Sequence, residues 1–339
     1  MHIPISILVK GNNMNLTFGE AIREALFAEF EKNKDTVMFG QDIQHNLYGY
    51  TRELVNVFGE DRIRNAPLSE AAVVGTAIGA AMCGIRTVVD LTVSNFLYVA
   101  MDQIVNMAAK TTYMYDGQFN LPLTIMCSSM YNANNGSQHS DRPHPMFMNV
   151  PGLKIVTPTN PQDAYSLLRA SISENNPVIY FTDRSLFYSK QDVDLNLKIQ
   201  IGNAEILKKG EDITIIAIAG TVITSLSIIE VLNKEGINAE IIDVKTLVPL
   251  DKQTILNSVN KTGRVVIVDT AHKTCSAASE ISSIIAEESF SVLKAPIGIV
   301  AYEDVPIPFE KTLETELMPT KEKLLDKVKY IYSYGKSSL

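Results

Sequence analysis

Short apolar runs alternate with stretches of helical periodicity along most of the chain. Val37-Met38-Phe39, Thr87-Val88-Val89-Asp90-Leu91, Leu123-Thr124-Ile125-Met126-Cys127, Lys154-Ile155-Val156 and Val178-Ile179-Tyr180-Phe181 read as strands. Helical patterns lie between most of them. Thr17-Phe18-Gly19-Glu20 is a capping box that opens an amphipathic helix to about Glu31, and the segments 95–111 and 161–174 carry the same period. Such alternation predicts a buried, mainly parallel sheet covered by helices. The pattern loosens near the polar run Lys190-Gln191-Asp192-Val193-Asp194, which reads as a linker over 188–202. A second series follows, with strands at 213–218, 239–244, 265–268 and 297–300. The fold class expected is α/β, as two successive α/β domains at 15–187 and 203–335 behind an N-terminal extension of 1–14. Met14 would suit a start, which would make the first thirteen residues an addition. The chain shows no sequence repeat.

Composition narrows the function more than the fold. The 339 residues are 46% hydrophobic and 20% charged, with a formal net charge of −8. That balance argues against nucleic acid as a partner, since such binders present a basic face. Cys83, Cys127 and Cys275 are far apart and in no metal-ligand spacing, which suits a reducing, cytoplasmic setting. No apolar stretch reaches membrane-spanning length, and the opening residues lack a cationic start and a cleavage signature.

One carboxylate stands out. Between Arg64 and Arg86 the only charged residue is Glu70, at the head of a small, apolar helical run. Ala71, Gly75, Gly79 and Cys83 recur at helical spacing and offer a surface for close helix packing. A carboxylate at the mouth of such a helix is expected to be desolvated, which raises its pKa and suits it to proton exchange. Read locally, Ser69 is equally an N-cap and Glu70 a first-turn residue that complements the helix dipole.

Common catalytic signatures are missing: no G-x-x-x-x-G-K-[ST], no G-x-G-x-x-G after a strand, no H-E-x-x-H and no C-x-x-C. Only His139 and His144 lie close together, in a loop after the strand that ends near Cys127. Loops at the carboxyl ends of parallel strands form ligand sites in α/β folds. Pro143 between the two histidines disfavours a metal pair, and His144 reads as a solvated loop residue.

Several ordered motifs carry a resemblance. They are Leu68-Ser69-Glu70, Asn95-Phe96, the run from Ala100-Met101-Asp102-Gln103 to Lys110-Thr111, Gln138-His139-Ser140, Pro151-Gly152-Leu153-Lys154, Asn175-Asn176-Pro177, Lys245-Thr246-Leu247-Val248-Pro249 and Asp304-Val305-Pro306. From Met14 to about Ile331 the chain resembles the β subunit of thiamine-diphosphate-dependent 2-oxoacid dehydrogenases of the pyruvate and branched-chain type. That resemblance implies a pyrimidine-binding domain followed by a transketolase C-terminal-like domain. It implies that Glu70 hydrogen-bonds the aminopyrimidine ring and supports proton removal from the thiazolium carbon. Phe96 would stack on the ring, Leu68 and Thr92 would contact it, and His139 would act near the reacting carbons. It also implies a potassium site drawn from Leu123, Ser171, Ile172, Glu174 and Asn176, with Glu174 where the family has Asp.

In this family Mg²⁺ and the diphosphate are held by a GDG…N motif on a separate α subunit, and this chain has no such motif. The resemblance therefore implies an α partner, a β–β contact in a heterotetramer, and a lipoyl acyltransferase that takes up the acyl group. Departures gather at the substrate mouth. Gln41 stands where relatives carry Glu, Ser128 to Asn135 replaces a glycine- and alanine-rich approach to His139, and Asn149 replaces a histidine. Residues 274–279 replace a glycine-containing turn. These differences leave open an enzyme passing its acyl or ketol group to a small acceptor, and a non-catalytic partner that stabilises an α subunit. A split-transketolase half fits the Gln138-His139-Ser140 loop less well.

Overall fold

Thr17 begins the first helix as its neighbours dictate. Its hydroxyl accepts from the Glu20 amide at 3.2 Å, while the Glu20 carboxylate accepts from the Thr17 amide at 2.8 Å. That reciprocal capping box opens helix α1 (Phe18–Lys32), directly after strand β1 (Asn13–Thr17). The chain is seen in a computed structural model that describes residues 13–46, 48–130 and 133–335. It divides into two units: one runs to Met130 and includes Met146–Ile201, the other takes Tyr131–Pro145 and everything from Gly202. The assignment of 131–145 differs from the sequence expectation, which kept that loop in the first domain.

Unit one holds β2 (Thr36–Gly40), β3 (Ile63–Asn65), helix α2 (Glu70–Met82), β4 (Arg86–Val93), β5 (Leu123–Ser129), β6 (Lys154–Val156), helix α3 (Pro161–Ser173) and β7 (Val178–Asp183). The strands pair in parallel in the order β6-β7-β5-β4-β2-β3. Helix α1 packs along α3, and Ile22, Leu26, Phe30, Leu167, Leu168 and Ile172 close the core over Met38, Val88 and Tyr180. Burying each of these side chains contributes about 1.5–3 kcal/mol, the main source of stability here.

Two expectations need correction. The supposed linker contains strand β8 (Lys190–Asp194), which pairs antiparallel with β1 from Asn13↔Asp194 to Thr17↔Lys190. Its polar sequence hid it: backbone pairing with β1, the buried Val193 and two bonds between Gln162 and the Asp194 backbone hold it, not an apolar face. Residues 1–12 of the expected extension lie outside the described residues, but Asn13 and Met14 belong to this ribbon. The expected helix over 95–111 is broken instead into a 3-10 turn, Ser94–Tyr98, and a π-helical segment, Gln103–Ala108. There the Ala109 amide reaches back to the Ile104 carbonyl at 3.0 Å, the five-residue step of a π-bulge.

Unit two carries β9 (Glu205–Lys208), β10 (Ile213–Ala217), β11 (Ala239–Asp243), β12 (Thr246–Val248), β13 (Val265–His272), helix α4 (Ala277–Ser289) and β14 (Gly298–Tyr302). Its five-stranded sheet runs β14-β13-β10-β11-β9, parallel except for β9. Ile213, Ile215, Ile241, Val266 and Val268 fill one face under Leu324, Val328 and Ile331. Among the described residues no helix is long and apolar enough to cross a membrane.

Candidate active site

Glu70 opens α2 after the exposed turn Pro67-Leu68-Ser69, and its side chain is half-buried. Ser69 occupies the N-cap position, but its hydroxyl makes no capping bond. Glu70 lines a cleft with Gly40, Gln41, Pro67, Leu68, Ser69, Val73, Asp90, Leu91 and Thr92. Three of the residues expected to meet a ring, Glu70, Leu68 and Thr92, are thus brought together. Phe96 lies just beyond β4 in the same unit, half-buried on the 3-10 turn, and does not line this cleft.

Sequence reasoning missed Asp90, the fully buried carboxylate at the cleft. Oδ2 accepts from the Tyr50 hydroxyl and Oδ1 from the Thr92 amide, both at 2.8 Å. Burial pushes its pKa up to about 6, while those two donors hold it from rising further. A lone Asp within an apolar strand was the available signal.

The sign of the resulting pH dependence is fixed. Asp90 has a folded pKa above the ordinary carboxylate value of 3.8. The folded chain therefore holds an extra proton between pH 4 and 6, and stability falls as pH rises through that window. The cost at neutral pH is on the order of 3 kcal/mol. Asp90→Asn should gain stability relative to the unmodified chain by about 2–3 kcal/mol between pH 4 and pH 7. Urea unfolding at a series of pH values checks this, and parallel curves would contradict it.

His139 belongs to unit two, exposed on the 3-10 turn Ser137–His139. Its loop is tied down within that unit. The Ser137 hydroxyl donates to the Ile307 carbonyl at 2.8 Å, the Asn134 amide to Glu314 at 3.0 Å, and Arg142 lies 5.4 Å over the Tyr302 ring. His144 corrects the sequence expectation outright. It is buried, not solvated, with Nε2 3.2 Å from Asp269, whose other contacts are the Ala271 and Ala278 amides. Burial pushes the Asp269 carboxyl up, but His144 and the two amides more than offset it and leave the pKa lowered.

Four of the residues expected at a potassium site, Ser171, Ile172, Glu174 and Asn176, lie at and just beyond the end of α3. Ile172 and Glu174 do present their carbonyl oxygens inward, but the Arg86 guanidinium receives both, the second at 2.6 Å, and also reaches Asn175 Oδ1 at 3.2 Å. Ser171 Oγ donates to the Leu167 carbonyl at 2.7 Å, and the Glu174 carboxylate pairs with Lys154 at 2.7 Å. Leu123 is buried at the start of β5 and Asn176 is exposed. A guanidinium supplies the charge and donors those carbonyls require. A potassium ion bound here would have to displace that guanidinium, and replacing potassium by tetramethylammonium at fixed ionic strength should then lower the melting temperature by several degrees. An unchanged melting temperature would contradict the potassium expectation.

The small-residue stripe of α2 stays partly open in this chain. Val73, Val74, Ala77, Ile78 and Ala81 are its buried face. A Cβ at Gly79 would meet nothing within 4 Å among the described residues, one at Gly75 only the Gln103 side chain, and Cys83 is exposed. Among the described residues, the π-helical segment reaches the stripe at Gly75, and the stretch at Gly79 and Cys83 is left uncovered. No group of three or more His, Cys, Asp or Glu among the described residues suits a metal ion.

Comparison with known proteins identifies the family. The transketolase pyrimidine-binding domain matches residues 14–190, and the transketolase C-terminal domain matches 202–324. These two domains in this order define a thiamine enzyme of transketolase-like build. Among solved structures, a split-gene transketolase, described as an inactive β4 tetramer, gives a TM-score of 0.78 at 20% identity, covering 94% of this chain and 98% of that one. Transketolase from Campylobacter jejuni gives 0.69 at 14% identity, over 93% of this chain and 46% of its own. At those identities the likeness shows the fold alone.

Curated relatives are nearer. The acetoin:2,6-dichlorophenolindophenol oxidoreductase subunit β of Bacillus subtilis is 33% identical, covering 91% of this chain and 95% of that protein. Its counterpart in Cupriavidus necator is 38% identical over 88% and 92%. Pyruvate dehydrogenase E1 component subunit β of Rickettsia felis is 35% identical over 95% and 100%. The chain belongs to the β subunits of the thiamine-diphosphate-dependent 2-oxoacid dehydrogenases.

Proposed function

We propose that this chain supplies the pyrimidine end of a thiamine diphosphate site and that an α subunit completes that site with Mg²⁺ and the diphosphate end. The carrying observation is the convergence of Glu70, Leu68 and Thr92 on one cleft. The donor chemistry fits one half of the cofactor only: an apolar rim and a carboxylate suit an aminopyrimidine, and the chain offers no GDG…N motif for a metal diphosphate. When bound, thiamine diphosphate supplies the carbon nucleophile and electron sink for breaking a bond next to a carbonyl. Leu68 would contact the ring, and Thr92 forms part of the pocket wall. Glu70 would exchange a proton with the ring nitrogen, a task that a half-buried carboxylate at a helix start suits. Phe96, on the nearby 3-10 turn outside this cleft, would have to approach the bound ring to stack on it, and His139 would orient the substrate or steady charge near the reacting carbons. The open α2 stripe is the contact surface for a second copy of this chain in an assembly of two α and two β subunits.

The acyl group passes to a lipoyl carrier in this reading. A second reading, a small-molecule acceptor with an acetoin-like substrate, is favoured by the acetoin names of two relatives. Gln41 and the altered approach to His139 support it as well. Co-expression with a GDG…N-bearing α chain and assay against a panel of 2-oxoacids and acetoin, with lipoamide and with dichlorophenolindophenol as acceptor, decides between them. Turnover of a 2-oxoacid supports the first reading and of acetoin alone the second. No turnover of either by an assembled complex overturns both.

A further inference from the structure

Strand β4 does not run evenly past β5. Asp90 faces Met126 and Val93 faces Ser128, so Leu91 and Thr92 together oppose a single residue of β5. This is a β-bulge, a device that re-aims a strand beside a site. It lies in the wall of the Glu70 cleft. Thr92 sits at φ +61°, a left-handed conformation that costs a β-branched residue about 1–3 kcal/mol.

Three contacts hold that conformation. The Thr92 amide donates to Asp90 Oδ1 at 2.8 Å, the Thr92 hydroxyl donates to the Leu91 carbonyl at 2.6 Å, and Tyr50 donates to Asp90 Oδ2 at 2.8 Å. Gly40 lets β2 close over the group: a Cβ there would lie 2.8 Å from the Asp90 carbonyl and 2.7 Å from Ile43. No cation pairs with Asp90 among the described residues. The cluster thus spends both backbone strain and a buried, unpaired carboxylate at one point in the cleft wall. A strand end needing only stability would be better served by glycine at 92 and an uncharged side chain at 90.

We propose that Asp90, steadied by Tyr50, is a positioning residue that holds the Leu91–Thr92 bulge in the shape that receives the aminopyrimidine end of thiamine diphosphate. This rests on the functional reading above and extends it from the residues that touch the ring to the group that places them. The hydrogen-bond acceptor at Oδ1, not the carboxylate charge, is the working feature, because it alone fixes the strained amide.

The test uses the complete α–β complex with thiamine diphosphate and Mg²⁺, and two readouts: the cofactor dissociation constant and amide hydrogen exchange at Thr92. Asp90→Ala should weaken cofactor binding at least about tenfold and speed Thr92 exchange by a similar factor. Asp90→Asn retains an Oδ1 acceptor and should lose no more than about threefold on either readout. Equal affinity in all three proteins overturns the proposal and leaves the cofactor reading standing. Asn as damaging as Ala also overturns it, since charge would then be what matters. Failure of the unmodified complex to bind thiamine diphosphate overturns the cofactor reading and this proposal with it. Should Asp90→Ala not assemble, Tyr50→Phe carries the test: unchanged affinity and unchanged Thr92 exchange there are contrary results.

Discussion

Replacing Glu70 by glutamine is expected to slow hydrogen–deuterium exchange at the thiazolium carbon of bound thiamine diphosphate by about 10²–10⁴-fold. The substitution keeps the shape of the side chain and its place at the start of α2, so fold and assembly should survive. What it removes is the exchangeable carboxyl proton. Leu68 and Thr92 still wall the cleft in this variant, so cofactor affinity should change far less than the exchange rate. That split separates a proton-handling role from a simple contact. Quenched-flow exchange read by NMR gives the rate directly, and a variant complex that exchanges as fast as the unmodified one removes Glu70 from the mechanism.

The second large effect concerns the chain on its own. Without an α partner it should have no measurable activity on any 2-oxoacid or on acetoin, and mixing with the partner should restore turnover completely. Half of the site is missing by composition: the chain carries neither the GDG…N motif nor, among its described residues, a cluster able to hold a metal ion. The open face of α2 points the same way. At exposed Gly79 an added Cβ would meet nothing within 4 Å among the described residues, which leaves apolar surface that association would bury. Sedimentation should find a β–β dimer for the lone chain and a heterotetramer for the mixture. Turnover by the lone chain would show that the missing half has a substitute within it.

Local chemistry made part of this legible. The capping box at Thr17 and Glu20 announces α1, and runs such as Leu123–Cys127 mark the buried strands, because helix caps and strand patterning are written in adjacent residues. Glu70 stood out through the lack of other charges nearby, and the resemblance carried by the ordered motifs implied a role for it. Features that depend on distant partners stayed hidden. His144 looked solvated beside Asp141 and Arg142, while its partner Asp269 lies 125 positions away. The Lys190–Asp194 strand is polar and finds its pairing in β1, at the other end of the first unit. The contacts of the Arg86 guanidinium with the Glu174 carbonyl and Asn175, some ninety positions away, were equally out of view. Asp90 reads as one polar residue in a strand. Its importance rests on register against β5 and on a backbone angle at Thr92, neither of which a pattern of residue types encodes.

The central claim is that one cofactor site is shared between this chain and another. Titration calorimetry of thiamine diphosphate, with and without Mg²⁺, against the lone chain and against the α–β mixture tests it most directly. The account predicts weak, Mg²⁺-indifferent binding to the chain alone and tight, Mg²⁺-dependent binding to the mixture. Tight binding to the lone chain that requires Mg²⁺ would contradict it.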